Sequence, residues 1–333
     1  SFRWRPGQAP RSAAGSQAQD FAENRPVTAV GLPSVAAGQI YIHENYSADR
    51  AFNRGRQNLA PDKALSPPAA VPRLRGLVEK IAFHLGPLTV HWFGVLVAAA
   101  FLAGLWTASH RAASDGIPPD RIYEAGTWLI VGTIVGARSL YVISYWQESF
   151  AGRPWTEIFK VWEGGLVFYG GLIGATLACL AFVRLRRLPL SKFADALAPS
   201  IALGYFVGRF GCLMNGCCYG RPTSLPWAIH FPGDHQSHGA GLHPVQLYDA
   251  LLNLGFFLLL ARLHRRKKFD GQVFAAYLIG YSLLRAFVET FRGDYPVRYL
   301  GDVATPAQLV SVATLAAGLL LWWKLSRPQP KGA

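Results

Sequence analysis

Residues 193–214 read FADALAPSIALGYFVGRFGCLM. Apart from Asp195 and Arg209 the stretch is apolar or small, and it has about the 20 residues an α-helix needs to cross the hydrocarbon of a bilayer. An arginine at membrane depth costs roughly 2.5–3.5 kcal/mol on insertion, so it is kept where it faces a protein-lined cavity. Two more apolar runs repeat the pattern. Arg138 lies within 122–146, and Arg285 lies within 270–291, where Glu289 follows one helical turn later.

Seven runs of this kind follow one another, at roughly 88–108, 122–146, 165–184, 193–214, 244–262, 270–291 and 305–324. The chain therefore reads as an all-α integral membrane protein with about seven transmembrane helices. Composition agrees: 51% of the 333 residues are hydrophobic and only 16% are charged, against about 25% charged in soluble domains. The 10 Trp and 13 Tyr suit aromatic belts at the bilayer interfaces. Glycines in the runs (Gly132, Gly136, Gly170, Gly171, Gly174) allow helices to approach closely.

The net charge of +14 does not point to nucleic acid. The basic residues sit in short loops between apolar runs, which is a topology signal, rather than on one basic face with interleaved aromatics. The loops after the first, third, fifth and seventh runs carry most of them, with Arg262, Arg265, Arg266, Lys267 and Lys268 in one cluster. The positive-inside rule puts those loops and the C-terminus in the cytoplasm and the N-terminus outside. Arg73, Arg75 and Lys80, ahead of the first run, go against it. The segment from Asn215 to His243 then faces outward and is long enough for a small cap.

Residues 1–75, rich in Ala, Pro, Gln, Ser and Arg, read as a disordered or non-native extension. They are not read as a signal peptide, since the first long apolar run begins near residue 86. Residues 76–84 are expected to form a short interfacial helix. The seven-helix domain is expected over 76–327, with a tail at 328–333.

Three cations aimed into one bundle suggest a site for an anion, and the anion at hand in a membrane is a phospholipid phosphate. Four segments carry the relevant side chains. In Gly164–Gly174, glycine pairs that include Gly170 and Gly171 flank Tyr169; they permit close backbone approach, either to a ligand or between helices. In Gly208–Arg221, Arg209 is set among glycines beside the Asn215-Gly216 turn. A guanidinium fork there binds phosphate oxygens in pairs, helped by backbone N–H groups. In Leu242–Asp249, His243, Gln246 and Asp249 fall about one turn apart on one face, with Tyr248 among them. In Tyr281–Arg292, Arg285 and Glu289 have the i, i+4 spacing of an ion pair.

Together these segments resemble the bacterial phosphatidylglycerol–prolipoprotein diacylglyceryl transferases. The resemblance runs from His91 (in His91-Trp92-Phe93-Gly94) to Gln308 and covers all seven runs. It implies a seven-helix inner-membrane enzyme with a periplasmic N-terminus, a cytoplasmic C-terminus and no cofactor. The implied reaction moves the diacylglyceryl group of phosphatidylglycerol onto the lipobox cysteine of a prolipoprotein, giving a thioether and glycerol 1-phosphate. Arg209, Arg285 and Glu289 match family positions, as do Arg138, Asn215 and Gly220. The implied catalytic set is Arg209, Tyr169, Arg285 and Glu289. The implied substrate-binding set is Arg138, Gly170, Gly171, Asn215, Gly220, His243, Gln246 and Tyr248.

Two positions depart from the family. Tyr169 stands where many members have a histidine, and Cys212 where many have an asparagine. A phenol is a poor base near neutral pH, so Tyr169 is either a base activated by nearby arginines or a residue that positions lipid. The departures leave room for a divergent paralogue that binds lipid without catalysis. Two other readings compete. Cys212, Cys217 and Cys218 ahead of His230, His235, His238 and His243 suggest a metal or thiol-redox protein, but no Cys-x-x-Cys or regular His spacing is present, and no metal ligand is assigned. A transporter is opposed by the lack of an evident internal repeat.

Overall fold

The computed structural model describes residues 80–86, 88–232, 235–293 and 305–327. The expected extension at 1–75 and tail at 328–333 lie outside these residues. Seven long helices appear among them: α1 (Trp92–Ser114), α2 (Pro119–Ser144), α3 (Phe168–Leu185), α4 (Leu190–Asn215), α5 (Val245–His264), α6 (Gln272–Glu289) and α7 (Pro306–Ser326). Six are long and apolar enough to cross a membrane. The seventh, α6, has 18 residues and carries both Arg285 and Glu289, which lower its hydropathy. The protein is an all-α, multi-pass membrane protein.

Local chemistry sets the helix ends. Pro119 and Pro306 occupy first-turn positions, where a missing N–H costs nothing. At α7, Thr305 Oγ1 accepts from Gln308 N while Gln308 Oε1 accepts from Thr305 N, a reciprocal capping box. α4 ends at Gly216, which takes φ +73°, a left-handed conformation that suits glycine.

The expected helix near residues 76–84 does not form where the chain is described. Ile81–Leu85 (β1) pairs antiparallel with Leu88–His91 (β2) around a turn at Gly86, φ +59°. The hairpin consumes residues assigned to the first span, so α1 begins at Trp92 rather than near residue 88. Two other small strands, Ile229–His230 (β3) and Gly241–Leu242 (β4), pair between α4 and α5. Ile229, Phe231 and Leu242 form a buried cluster there, packed on Leu213 of α4 and Leu247 of α5.

Burial is inverted relative to a soluble protein. Large apolar side chains such as Leu102, Ile143, Leu177, Leu259 and Leu320 are exposed, whereas Asp195, Arg209, Gln246, Asp249, Asn253, Ser282 and Glu289 are buried. An apolar exterior around a polar interior is what lipid as solvent requires. The most extensive packing pairs α2 with α3, α1 with α4, α4 with α5, and α6 with α7, and α4 also meets α6. On the α2–α3 seam a side chain at Gly136 or Gly174 would run into the partner backbone at Gly170 or Gly132, so the glycines set this separation.

One end of the bundle is tied by a second charged group. Asp195, fully buried near the start of α4, accepts from Gly271 N at 2.8 Å and Phe274 N at 2.9 Å. It thereby caps α6 from a different helix. Lys267 bridges Asp195 (3.3 Å) and Asp115 (2.8 Å). Burial opposes the charge on Lys267, but the hydrogen bond to Asp115 and the field of Asp195 outweigh it and raise the pKa. Arg209 lies fourteen residues further along α4, about 21 Å at about 1.5 Å per residue. The two charged groups therefore sit toward opposite ends of the span.

Candidate active site

Arg209 and Arg285 are the two membrane-depth arginines that the structure brings together. Arg209, 9% exposed on α4, places Nη2 2.6 Å from Asp249 Oδ2 on α5. The same nitrogen donates to the Tyr205 hydroxyl one turn back, and the guanidinium lies 4.6 Å from the centre of the Tyr205 ring. Asp249 is itself held by Asn253, whose Nδ2 donates to Oδ1 at 2.8 Å. On α6, Arg285 Nη2 lies 2.8 Å from Glu289 Oε2, so the expected i, i+4 pair forms. Arg292 Nη1 approaches the same carboxylate oxygen at 3.8 Å. Asp249 feels the charges of Arg209, Arg285 and Arg292 together, and the Tyr205 and Tyr281 rings meet with centroids 6.0 Å apart. Three helices thus converge on one group of three guanidiniums and two carboxylates.

The group keeps unused hydrogen-bonding capacity. Among the described residues, Arg209 Nε, Arg285 Nη1, Gln246 Oε1 and Glu289 Oε1 are buried without a hydrogen-bond partner. Native structures rarely leave such atoms unsatisfied, so this cluster has the capacity to bond a polar ligand or water. Free guanidinium N–H groups on two arginines suit an oxyanion such as a phosphate diester.

Arg138 is used differently from the sequence expectation. Its Nε donates to Ile158 O (2.7 Å), Nη2 to Glu157 O (2.7 Å), and Nη1 to Gly164 O (2.8 Å) and Gly165 O (3.1 Å). Four of the five N–H groups of an arginine are thereby taken by the backbone of the segment between α2 and α3. Arg138 clips that irregular segment to α2.

The other expected residues separate into three places. Gly170 and Gly171 face α2, Gly170 against the Gly136 backbone and Gly171 against Thr133. Tyr169, in the first turn of α3, is 36% exposed beside the more exposed Phe168, with the rings 5.7 Å apart. No hydrogen bond or ion pair described for Tyr169 reaches the Arg209 group. Gln246 is buried on the face of α5 that carries Asp249, and its Nε2 donates to Cys217 O at 2.8 Å.

Beyond the end of α4, Asn215 is the last helical residue and Gly220 begins a small backbone network. Gly220 N donates to His243 O (3.2 Å), His243 N to Arg221 O (3.0 Å) and Arg221 N to Phe291 O (2.9 Å). A side chain at Gly220 would lie 2.5 Å from His243 Cβ, so this contact needs glycine. The network ties the segment between α4 and α5 to the end of α6, where Glu289 lies. His243 precedes α5 rather than belonging to it. Its Nδ1 lies 3.4 Å from the Tyr248 hydroxyl, which accepts from Trp227 Nε1 at 2.7 Å. Burial, followed by the charge of Arg221, pushes the His243 pKa below its ordinary value, so the imidazole stays neutral near pH 7.

From sequence alone Asp249 has a face but no partner, and Asn253, Tyr205 and Arg292 are not among the expected site residues. The polar stripe Gln246, Asp249, Asn253 at i, i+3, i+7 in an otherwise apolar helix was the signal for the first two.

Apolar helices around a buried guanidinium–carboxylate site define a class: a multi-pass membrane protein that keeps its charged chemistry inside the bundle. The family follows from comparison with known proteins. The chain belongs to the prolipoprotein diacylglyceryl transferase family, whose model matches residues 80–324. It is 38% identical to the phosphatidylglycerol–prolipoprotein diacylglyceryl transferase of Synechococcus elongatus over 247 residues, which is 71% of this chain and 84% of that protein. The proteins of the same name from a Nostoc species and from Geobacillus kaustophilus are 36% and 37% identical, covering 75% and 74% of this chain and 90% and 92% of their own lengths.

Proposed function

We propose that this chain transfers the diacylglyceryl group of phosphatidylglycerol to the lipobox cysteine of prolipoproteins, forming a thioether and releasing glycerol 1-phosphate. Family membership supports the reaction. The observation that carries the site is the meeting of Arg209 and Arg285, each with an unpartnered buried N–H, inside an apolar bundle.

The lipobox thiolate attacks the glycerol carbon that bears the phosphate ester. The carbon–sulfur bond forms as the carbon–oxygen bond breaks, and glycerol 1-phosphate leaves with the electron pair. Negative charge grows on the departing phosphate, so fixed cations around it lower the barrier. Arg209 and Arg285 are the clamp in this reading. Asp249 and Glu289 hold the two guanidiniums in place from within hydrogen-bonding range. The thiol ionises beside these cations and its proton passes to water. Tyr169, exposed with Phe168 on the outside of α3, positions lipid rather than moving a proton. Gln246, His243 and Tyr248 orient the segment that receives the peptide, and Asn215 and Gly220 shape its base.

The same reading places the protein in the bacterial inner membrane with its N-terminus periplasmic and C-terminus cytoplasmic. The segment between α4 and α5 then caps the site on the periplasmic side. Residues 76–327 form the transferase domain, with 1–75 an extension outside it.

The test uses membranes containing the chain, phosphatidylglycerol and a lipobox peptide with one cysteine. Mass spectrometry of the peptide is expected to find the diacylglyceryl adduct, and no adduct when phosphatidylethanolamine replaces phosphatidylglycerol. Without an adduct from a folded preparation, Tyr169 and Cys212 mark a paralogue that binds lipid without transferring it.

A further inference from the structure

Three thiols meet where α4 ends. Cys212 lies in the last turn, and Gly216 then stops the helix in the left-handed conformation. Two residues later Cys218 takes φ +60°, which residues with a Cβ rarely adopt and which persists only where the surroundings enforce it. These reversals fold Cys217 and Cys218 back over the helix end, so the three Sγ atoms lie within 4.8 Å of one another. The turn is braced from several sides. Cys217 N donates to Cys212 O at 3.1 Å, Gln246 Nε2 donates to Cys217 O at 2.8 Å, and the His235 ring bonds Gly216 O at 2.7 Å. Adjacent cysteines are awkward joint ligands on an extended chain; the left-handed Cys218 is what turns both thiols to one side.

We propose that Cys212, Cys217 and Cys218 form a binding site for a thiophilic metal ion, zinc(II) or copper(I), held by the three thiolates. Thiolates select these ions. With metal–sulfur bonds of about 2.3 Å, three coordinating sulfurs lie about 4 Å apart, a spacing the observed cluster reaches with shifts under about an ångström. Copper(I) is satisfied by three thiolates, whereas zinc(II) takes a fourth ligand such as water.

The site touches the clamp, since Cys212 Sγ is 3.9 Å from Arg209 Nη1. Three thiolates around zinc(II) or copper(I) leave a net negative charge there, which competes with a phosphate for Arg209. Occupancy therefore inhibits transfer. That consequence rests on the transferase reading; the metal site itself does not.

The experiment uses the reduced full chain in detergent, titrated with zinc(II), and with copper(I) under anaerobic conditions. Metal is measured by elemental analysis after desalting. One equivalent per chain is expected, with at least tenfold weaker binding in each of Cys212→Ser, Cys217→Ser and Cys218→Ser. On the unmutated chain, bound metal is expected to protect these three thiols from alkylation while Cys179, on α3, stays as reactive as without metal. A chelator is expected to restore transfer in the parent, and metal to leave transfer by Cys218→Ser unchanged. Substoichiometric binding, or alkylation of the three thiols unaffected by metal, would overturn the site. Stoichiometric, cysteine-dependent binding by a chain that transfers nothing even when metal-free would sustain the site and sink the transferase reading.

Discussion

Arg209 on α4 and Asp249 on α5 form an ion pair at 2.6 Å between two buried side chains, and the arginine still has a buried Nε without a partner among the described residues. The carboxylate is therefore a holder that leaves part of the guanidinium for something else. Breaking a buried pair from one side strands the other charge, at a cost of about 3–5 kcal/mol. Asp249→Ala is expected to lower the melting temperature in detergent and to reduce transfer. The double variant Arg209→Ala, Asp249→Ala is expected to recover most of the stability and none of the activity. Additive losses of stability would show that the pair does not act as a unit.

Glu289→Gln keeps the shape of the side chain but removes the charge that holds Arg285 at 2.8 Å. A charge-assisted hydrogen bond contributes about 1.5–3 kcal/mol, so transfer should fall about 10- to 100-fold at unchanged expression. Kinetics with varied phosphatidylglycerol measure this; parent-like rates would remove Glu289 from the site.

Tyr169→Phe is expected to keep transfer within about threefold of the parent, well under the 10²-fold or more that a general base supplies. The hydroxyl has no described bond to the arginine group, and the ring sits beside Phe168. A loss of 10²-fold or more in the adduct assay would assign the hydroxyl a chemical role after all.

Asp195→Ala tests the other end of the bundle. It strips the cap from Gly271 N and Phe274 N and removes a partner of Lys267. Destabilisation of about 3–5 kcal/mol is expected, read as a lower thermal midpoint. The transfer rate per folded molecule should stay near that of the parent, because the Arg209 group lies toward the far end of α4.

His243 predicts a pH dependence. Its folded pKa is below the ordinary histidine value. Above about 6.5 the ring is neutral in both folded and unfolded chains, and it makes no pH-dependent contribution. As pH falls below that value, the unfolded chain binds a proton that the folded chain resists, so stability is lost progressively down to the folded pKa. Melts at pH 7.5 and 5.5 should show a smaller acid loss in His243→Gln than in the parent. An equal loss in both would reassign the acid sensitivity to other groups.

The spans were legible because an apolar run of that length has one low-energy form in lipid, and all seven runs became helices. The start of α1 was not, since Leu88 and Val90 extend the apolar run backwards and no breaker between Leu88 and Trp92 marks where strand gives way to helix. The Arg285–Glu289 pair was legible from spacing on one helix. The Arg209–Asp249 pair was not, because contact between helices depends on their rotation and packing. Arg138 bonds backbone carbonyls of an irregular segment, and no side-chain pattern encodes such partners. The three thiols meet only because Gly216 and Cys218 turn left-handed, which the spacing of the cysteines does not reveal.

The most direct test of the phosphate clamp compares the parent with Arg209→Ala in the lipobox-peptide assay, at equal amounts of membrane-inserted protein. The span becomes more apolar on substitution, so insertion should persist. Adduct is expected from the parent, with a loss of at least about 10²-fold in the variant. Transfer by Arg209→Ala at the parent's rate would contradict the clamp.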